Sequence, residues 1–387
     1  MRRITAILLS ALLVAVMLAG CGGAKAPAAT EAPRATEAPK ATEAPKAAET
    51  PKTTEAPAPT QAPIVPVTVT DGQGREVELP NGYAKRVAVA NRYNLELIRA
   101  CGLIDTVVGV DDSIIENHIY WPEFTAADSY GSGSELNYEA IATLAPDVFI
   151  TTSATEETVN TLAKFDIPVV ALIGYNVDMN ASIDIIDQIF GQPEKSRAIR
   201  DFFNDLSAEI AERTEKIPDD QRKVAVWESI KAYSVANAKN DWGKMIERAG
   251  GINAFGETYL GDSSNVDAEA YIAVKPDYIF KMVAGTGLDL SGYTPPSEDD
   301  YKAATESYLS RAAIGEVKAI QAGNLYFVTS FQCGGMGKLM GTAYLAKFMY
   351  PEQFSDFDPD AAFTRWLEEF QNIAFCAGQN WRVGDHN

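Results

Sequence analysis

Whatever chemistry this chain performs is done almost without histidine. Its 387 residues include two, His118 and His386, the second next to the C-terminus. A bare divalent cation of the zinc or manganese type is usually held through several imidazoles, and that donor set cannot be assembled here. Axial ligation of a haem would fall to Tyr, Met or His118. Cysteine is equally sparse. Cys101, Cys333 and Cys376 follow an early Cys21 with no C-x-x-C among them, so neither a zinc site nor a redox dithiol is indicated and buried free thiols are expected. The signatures G-x-S-x-G, H-E-x-x-H and the phosphate-binding P-loop do not occur. Gly334-Gly335-Met336-Gly337-Lys338 is glycine-rich but lacks the P-loop spacing and its following hydroxyl, and it reads as a flexible turn before a helix. No catalytic residue, no resident cofactor and no metal site of the protein's own is expected.

What remains is the chemistry of holding a ligand. In the first half the candidates are Arg92, Tyr93, Tyr120, Trp121, Ser153 and Tyr175. In the second half they are Trp227, Tyr233, Trp242, Tyr259, Met282, Phe331 and Gln332. Ligand residues should lie at the strand ends and on the loops that follow, the place where open α/β sheets bind. Rings offer flat apolar faces to a large ligand. The Arg92 guanidinium suits carboxylates or a negatively charged chelate.

The elements that must position these residues alternate. Strands are expected at 86–90, 107–110, 147–151 and 168–173, with helices at 95–101, 136–144 and 155–165 between them. The alternation restarts with strands at 223–227, 278–282 and 325–328, and helices at 244–249, 268–274, 341–349 and 361–370. Short β-branched runs separated by helices indicate doubly wound, parallel α/β layers. Between the halves lie helices at 182–190 and 196–217. The second carries Ile199, Phe202, Phe203, Leu206 and Ile210 at three- and four-residue steps, and could bridge two lobes. The domains are therefore read as an N-terminal lobe over 64–178, a helical segment over 179–218 and a C-terminal lobe over 219–387.

One echo links the two lobes. Residues 136–150 read LNYEAIATLAPDVFI and residues 266–280 read VDAEAYIAVKPDYIF. Glu139 aligns with Glu269, and Pro146-Asp147 with Pro276-Asp277. Each segment is a short helix ended by Pro-Asp and leading into a strand.

The beginning of the chain has a different texture. Arg2 and Arg3 precede an apolar run over 4–18, too short for a confident membrane span, and Leu18-Ala19-Gly20-Cys21 closes it. Small residues before a cysteine resemble the bacterial lipobox, which implies a signal peptide over 1–20 and a lipidated Cys21 that anchors the protein without crossing the membrane. Residues 22–63 are almost entirely Ala, Pro, Thr, Glu and Lys, with three A-T-E-A-P-K/R hexads. With no apolar periodicity to bury, this is read as an extended tether. The net charge is −20, with 53 acidic against 33 basic residues. That balance argues against nucleic acid as a partner, and makes an anchor rather than charge responsible for any hold on anionic lipid. A monomer is expected.

Several further motifs recur in order: Val69-Thr70-Asp71-Gly72 with Gly74-Arg75, Lys85-Arg86-Val87, and Gly102-Leu103-Ile104-Asp105 with Val108-Gly109-Val110. Both Pro-Asp segments, Ala249-Gly250-Gly251-Ile252-Asn253 and Ala322-Gly323-Asn324-Leu325-Tyr326 complete the series. In these motifs, over about residues 67–370, the chain resembles the class III periplasmic binding proteins of ATP-driven importers for iron-siderophore, haem and cobalamin. The resemblance implies two α/β lobes joined by one long helix, with the ligand in a cleft between them. It implies an ABC importer permease and its ATPase as partners, docked through Glu139 and Glu269, and a site outside the cytoplasm. Scarce histidine favours a pre-chelated metal as cargo, a ferric siderophore first, a corrinoid or haem next. A surface receptor or adhesin without a permease, or an enzyme of unknown substrate, are the competing readings.

Overall fold

A computed structural model describes residues 64–133, 135–172, 179–257, 264–283 and 292–386. Cys21, the tether, Tyr175 and Tyr259 lie outside the described residues.

The N-terminal lobe opens with an antiparallel hairpin, β1 (Val67–Thr70) and β2 (Glu76–Leu79). Four parallel strands follow: β3 (Val87–Val89), β4 (Val107–Val110), β5 (Val148–Thr151) and β6 (Val169–Ala171), ordered β4-β3-β5-β6. The C-terminal lobe contains β7 (Val224–Glu228), β8 (Ile252–Asn253), β9 (Tyr278–Val283), β10 (Leu325–Thr329) and β11 (Asn380–Arg382), ordered β11-β10-β9-β7-β8. All pairs in the second sheet are parallel except β10 with β11. In each of the two larger sheets the first strand (β3 or β7) is flanked by the second (β4 or β8) on one side, and by the third (β5 or β9) and then the fourth (β6 or β10) on the other. The central strands are buried along their length, as β-branched runs covered on both faces by helices should be.

The helices used below are α1 (Arg92–Ala100), α2 (Tyr138–Thr143), α3 (Asn180–Phe190), α4 (Glu194–Thr214), α5 (Asp241–Arg248), α6 (Ala268–Ala273), α7 (Glu298–Leu309), α8 (Lys338–Met349) and α9 (Pro359–Arg365). The bridge expected over 196–217 is α4. Its 21 residues span roughly 32 Å at 1.5 Å each. It ends three residues before Ile217 because Pro218 disfavours helical backbone in its predecessor. Its buried face, Ile199, Phe202, Phe203, Leu206 and Ile210, is the expected one. Phe202 and Phe203 pack on Phe370 and Trp366, with ring centroids 5.1 and 5.5 Å apart. The chain after α9 therefore runs along the bridge.

The sequence echo is a structural unit. Asn137 and Asp267 cap α2 and α6 by accepting from the backbone N–H of Ala140 and Ala270, at 3.0 and 2.7 Å. Ala145 and Lys275 both take a left-handed backbone at φ 46°. The Asp147 carboxylate then accepts from the N–H groups of Lys85 and Arg86, each at 2.9 Å, and Asp277 accepts from that of Val224 at 2.9 Å. Each Pro-Asp thus ties the entry of one strand to the start of its neighbour.

Several expectations need correction. Trp227 and Met282 lie within β7 and β9 rather than on the loops after them. Arg92 and Tyr93 lie in the first turn of α1 rather than in a loop, because Asn91 caps that helix from φ 77°. Phe331 and Gln332 lie on a short helix over Ser330–Cys333. The Gly334–Lys338 segment is buried and packed, not a flexible turn. All three described cysteines are free thiols, Cys101 and Cys333 buried and Cys376 half-buried.

Asp71 fastens the hairpin to the first sheet. Its carboxylate accepts from Arg75 Nε and Nη2 at 3.0 and 2.6 Å and from the N–H of Ala171 at 3.1 Å. Burial pulls its pKa up, but these bonds outweigh it and leave it below the ordinary 3.8. Asp71→Asn should cost about 2 kcal/mol in urea unfolding near neutral pH. A depressed folded-state pKa stabilises above the unfolded value and loses that effect as pH falls through the folded one. The gap between parent and variant should therefore be full above about pH 5 and close as the pH drops below about 4.

Candidate functional site

The two lobes meet at the N-terminal end of α1. Asn91 turns the chain out of β3 and accepts from the Tyr93 N–H at 2.9 Å, while its own N–H donates to Asp111 Oδ2 at 3.1 Å. This aims the first turn of α1 at the C-terminal lobe. Arg92 Nη2 donates to the Ser330 carbonyl at 3.0 Å, across 238 residues of sequence. The guanidinium lies 4.7 Å from the Tyr93 ring centroid and 5.9 Å from that of Phe331. Tyr93 is seated on Gly334 and Gly335. A Cβ at Gly335 would stand 1.8 Å from Tyr93 Cδ1, and the residue is at φ +50°. Two independent reasons therefore require glycine there.

One turn further along α1, Glu96 and Arg99 are 4% and 5% exposed. The Tyr120 hydroxyl donates to Glu96 Oε1 at 3.2 Å, and Gln371 Nε2 donates to the Glu96 carbonyl at 3.0 Å. Arg99 donates to the carbonyls of Gln371 and Tyr120 at 3.3 and 2.7 Å and to Glu123 Oε2 at 2.8 Å, with its guanidinium 3.8 Å from the Trp121 ring. Burial raises the Glu96 pKa against the pull of Arg92 and the Tyr120 hydroxyl. Burial lowers that of Arg99, opposed by Tyr120 and Glu123. For Arg92, burial is outweighed by Tyr93 and Glu96, which hold its pKa above the ordinary value. The guanidinium at the junction is firmly cationic.

Tyr120 and Trp121 are completely buried. Trp121 lies beneath Arg99. Tyr120 joins an aromatic group with Tyr293 and Phe331, at 5.6 and 5.1 Å, that spans both lobes. Trp227 is buried in the C-terminal lobe and stacks on Trp242 at 6.1 Å, so it packs a core rather than presenting a face. Trp242 is half-buried and donates to the Cys333 carbonyl at 3.2 Å, with Lys338 above its ring. Met282, Phe331 and Gln332 are buried, and Ser153 is exposed just beyond the end of β5.

Tyr233 belongs to a cluster that sequence reasoning missed. Glu228, fully buried at the end of β7, meets Arg311 Nη1 through both oxygens at 2.9 and 3.0 Å and Lys281 Nζ at 3.0 Å. The Tyr308 hydroxyl donates to it at 3.3 Å and pairs with the Tyr271 hydroxyl of α6 at 2.8 Å. Tyr233 lies under the Arg311 guanidinium, 5.1 Å away. Burial lowers the Lys281 pKa, and Glu228 works against that shift. Lys281 also donates to the carbonyls of Ser229 and Ile230, fixing the loop after β7.

Glu139 and Glu269 are exposed in the first turns of α2 and α6. A cavity of 380 Å³ between α4, α5 and α8 is lined by none of the expected ligand residues. Among the described residues no group of three or more His, Cys, Asp or Glu is arranged to hold a metal ion.

Comparison with known proteins agrees with this architecture. The family model described as periplasmic binding protein matches residues 87–330. The molybdate-binding protein MolA of Haemophilus influenzae is 21% identical over 340 residues, covering 79% of this chain and 91% of that protein. The TroA-like periplasmic binding protein FepB of Veillonella parvula superposes with a TM-score of 0.68 at 19% identity, covering 82% of this chain and all of that one. CeuE of Helicobacter pylori in a Ni–His complex gives 0.60 at 18%, covering 80% and 96%.

The seat of Tyr93 can be tested alone. Gly335→Ala should destabilise the protein by about 2–4 kcal/mol in urea unfolding. Tyr93→Ala should recover at least about 1 kcal/mol of that loss in the double variant. Strict additivity of the two would mean that ring and glycine do not bear on each other.

Proposed function

The chain belongs to the periplasmic binding protein family, and from that premise we propose that it captures a negatively charged metal chelate, a ferric siderophore before a corrinoid or haem, and delivers it to an importer permease. Proteins of this class work outside the cytoplasm, bind small molecules and serve ABC transporter permeases. The observation that carries the ligand class is Arg92. It is a cation held charged at the lobe junction, between the rings of Tyr93 and Phe331, at the positive end of α1. A large flat anion with apolar edges matches rings and charge together. Scarcity of histidine argues against a bare divalent ion. One specific observation favours a second reading. MolA, the Haemophilus influenzae relative, covers most of this chain, and a tetrahedral oxyanion could use the same Arg92 with less need of aromatic faces.

The membrane hold is assigned to a lipid on Cys21, with residues 22–63 as tether. Docking is assigned to Glu139 and Glu269. The repeated helix grammar supports that pairing, because it presents both carboxylates, exposed, at equivalent places on the two lobes. Rim charges of this kind govern orientation and encounter rate more than affinity.

Titration of the full chain with ferric siderophores, cobalamin, haem and molybdate, followed by tryptophan fluorescence, separates the readings. Saturation by an iron chelate, weakened about 10- to 100-fold in Arg92→Ala, is expected. Saturation by molybdate alone would establish the oxyanion reading, and no saturation by any of the four would overturn both. The double charge reversal Glu139→Lys/Glu269→Lys should abolish uptake in cells with ligand affinity unchanged. Weakened ligand binding in that variant would remove the docking role.

A further inference from the structure

Apart from the lobe junction, the C-terminal lobe contains a cavity of 280 Å³ between α8, the start of α9 and the chain leading into β11. All of its lining comes from that one lobe, so it is distinct from the Arg92 region. Its walls are the rings of Phe348, Phe363 and Phe375, and its polar edge carries Asp358 and Asp360. Gln332 also lines it, at 0% exposure. Gln332 Oε1 meets no hydrogen-bond donor, and Nε2 has only the Tyr344 hydroxyl beside it. A buried amide oxygen with no donor is unusual, and each such group in a folded protein calls for a physical explanation. The Tyr344 hydroxyl, whose proton goes to Asp360 Oδ1, can at most accept from Gln332 Nε2, which leaves Oε1 without a donor.

The chemistry of the lining selects a ligand. The one cation, Lys347, spends its donors on the carbonyls of Phe354 and Ser355. The open valences are therefore acceptors: the carboxylates of Asp358 and Asp360, each with lone pairs beyond those in use, and Gln332 Oε1. Three π faces beside them favour an organic cation over a hydrated metal ion. A cavity of about 150 Å³ accommodates benzene, so this one has room for a ring with a short chain.

We propose that this cavity is a second binding site, which takes a small primary ammonium with an aromatic or apolar body, the ammonium at Asp358 and Asp360, the body among the phenylalanines and the Gln332 amide against a polar substituent or the ammonium itself. The site does not depend on what the lobe junction binds.

The test uses calorimetric titration of the full chain, in an amine-free buffer, with phenethylamine and with its uncharged counterpart phenethyl alcohol. Saturable binding of the amine is expected, at least tenfold tighter than the alcohol. Asp360→Asn and, separately, Gln332→Leu should each weaken it about tenfold or more. Because Asp360→Asn also loses its partner Tyr344, crystals of the unaltered protein soaked in 4-bromophenethylamine give a readout without substitution. An anomalous bromine peak in the cavity supports the site. The proposal is overturned by ordered water alone against Gln332, by equal affinity for amine and alcohol, or by no saturable binding.

Discussion

The arrangement of this protein depends on how the start of α1 is joined to the turn after β10. Arg92 reaches a carbonyl of the opposite lobe and Tyr93 fills a space that exists only because Gly334 and Gly335 have no side chains. Behind them Glu96 and Arg99 bury charge, which is tolerable only with every partner in place. Those partners, Tyr120, Glu123 and Gln371, come from both lobes. The polar stripe Arg92-Glu96-Arg99, at helical spacing, thus acts as a gauge of lobe orientation. A rotation of one lobe would take from Arg92 and Arg99 the carbonyls of Ser330 and Gln371, and leaving a buried guanidinium short of acceptors is costlier than losing an apolar contact.

The same junction links fold to function. The bridge α4 alone would leave lobe orientation to one helix. The segment after α9 returns along α4 through Phe370 and Trp366 and reaches α1 through Gln371. The lobes are therefore tied at the bridge, at Gln371 and at the Tyr93 seat. Such a body changes shape little, so affinity must come from groups already in position.

Much of this was legible in the sequence, for identifiable reasons. Buried β-branched runs produced the parallel strands, and the i, i+3, i+4 spacing of Ile199 to Ile210 produced the bridge. The Pro-Asp echo proved to be a hydrogen-bonding unit because its aspartates make local backbone bonds that a short motif can encode. The candidate ligand residues were less legible. Trp121 and Trp227 are core residues, and an aromatic at a strand end carries no mark of which way it faces. Glu228, Lys281 and Arg311 escaped notice because 83 residues separate the ends of the cluster, and only the pairing of β7 with β9 brings Glu228 opposite Lys281. Glu96 and Arg99 could have been found, since two charges on a short apolar helix need a buried partner or an exposed face. The glycines of 334–337 were misread because composition cannot distinguish a flexible turn from a close approach.

The two lobes share a strand order but differ in what covers the C-terminal ends of their strands. The N-terminal lobe offers the helix start with Arg92 and Tyr93. The C-terminal lobe has the Glu228 cluster, whose two cations exceed its one carboxylate and fix the loop over 229–234. That loop bonds onward to the chain before α6, through Val235 to Ser264 at 2.6 Å and Val266 to Tyr233 at 3.0 Å. The exposed Glu269 therefore stands on a helix held by the same cluster that shapes the end of β7, through Tyr308 and Tyr271. Among the described residues Glu139 has no counterpart of this cluster, and its helix is tied to the sheet by Asp147 and by Arg86, which donates to the carbonyls of Leu144 and Ala145. Duplicated topology thus accounts for two matching outward carboxylates, while the inward faces have diverged.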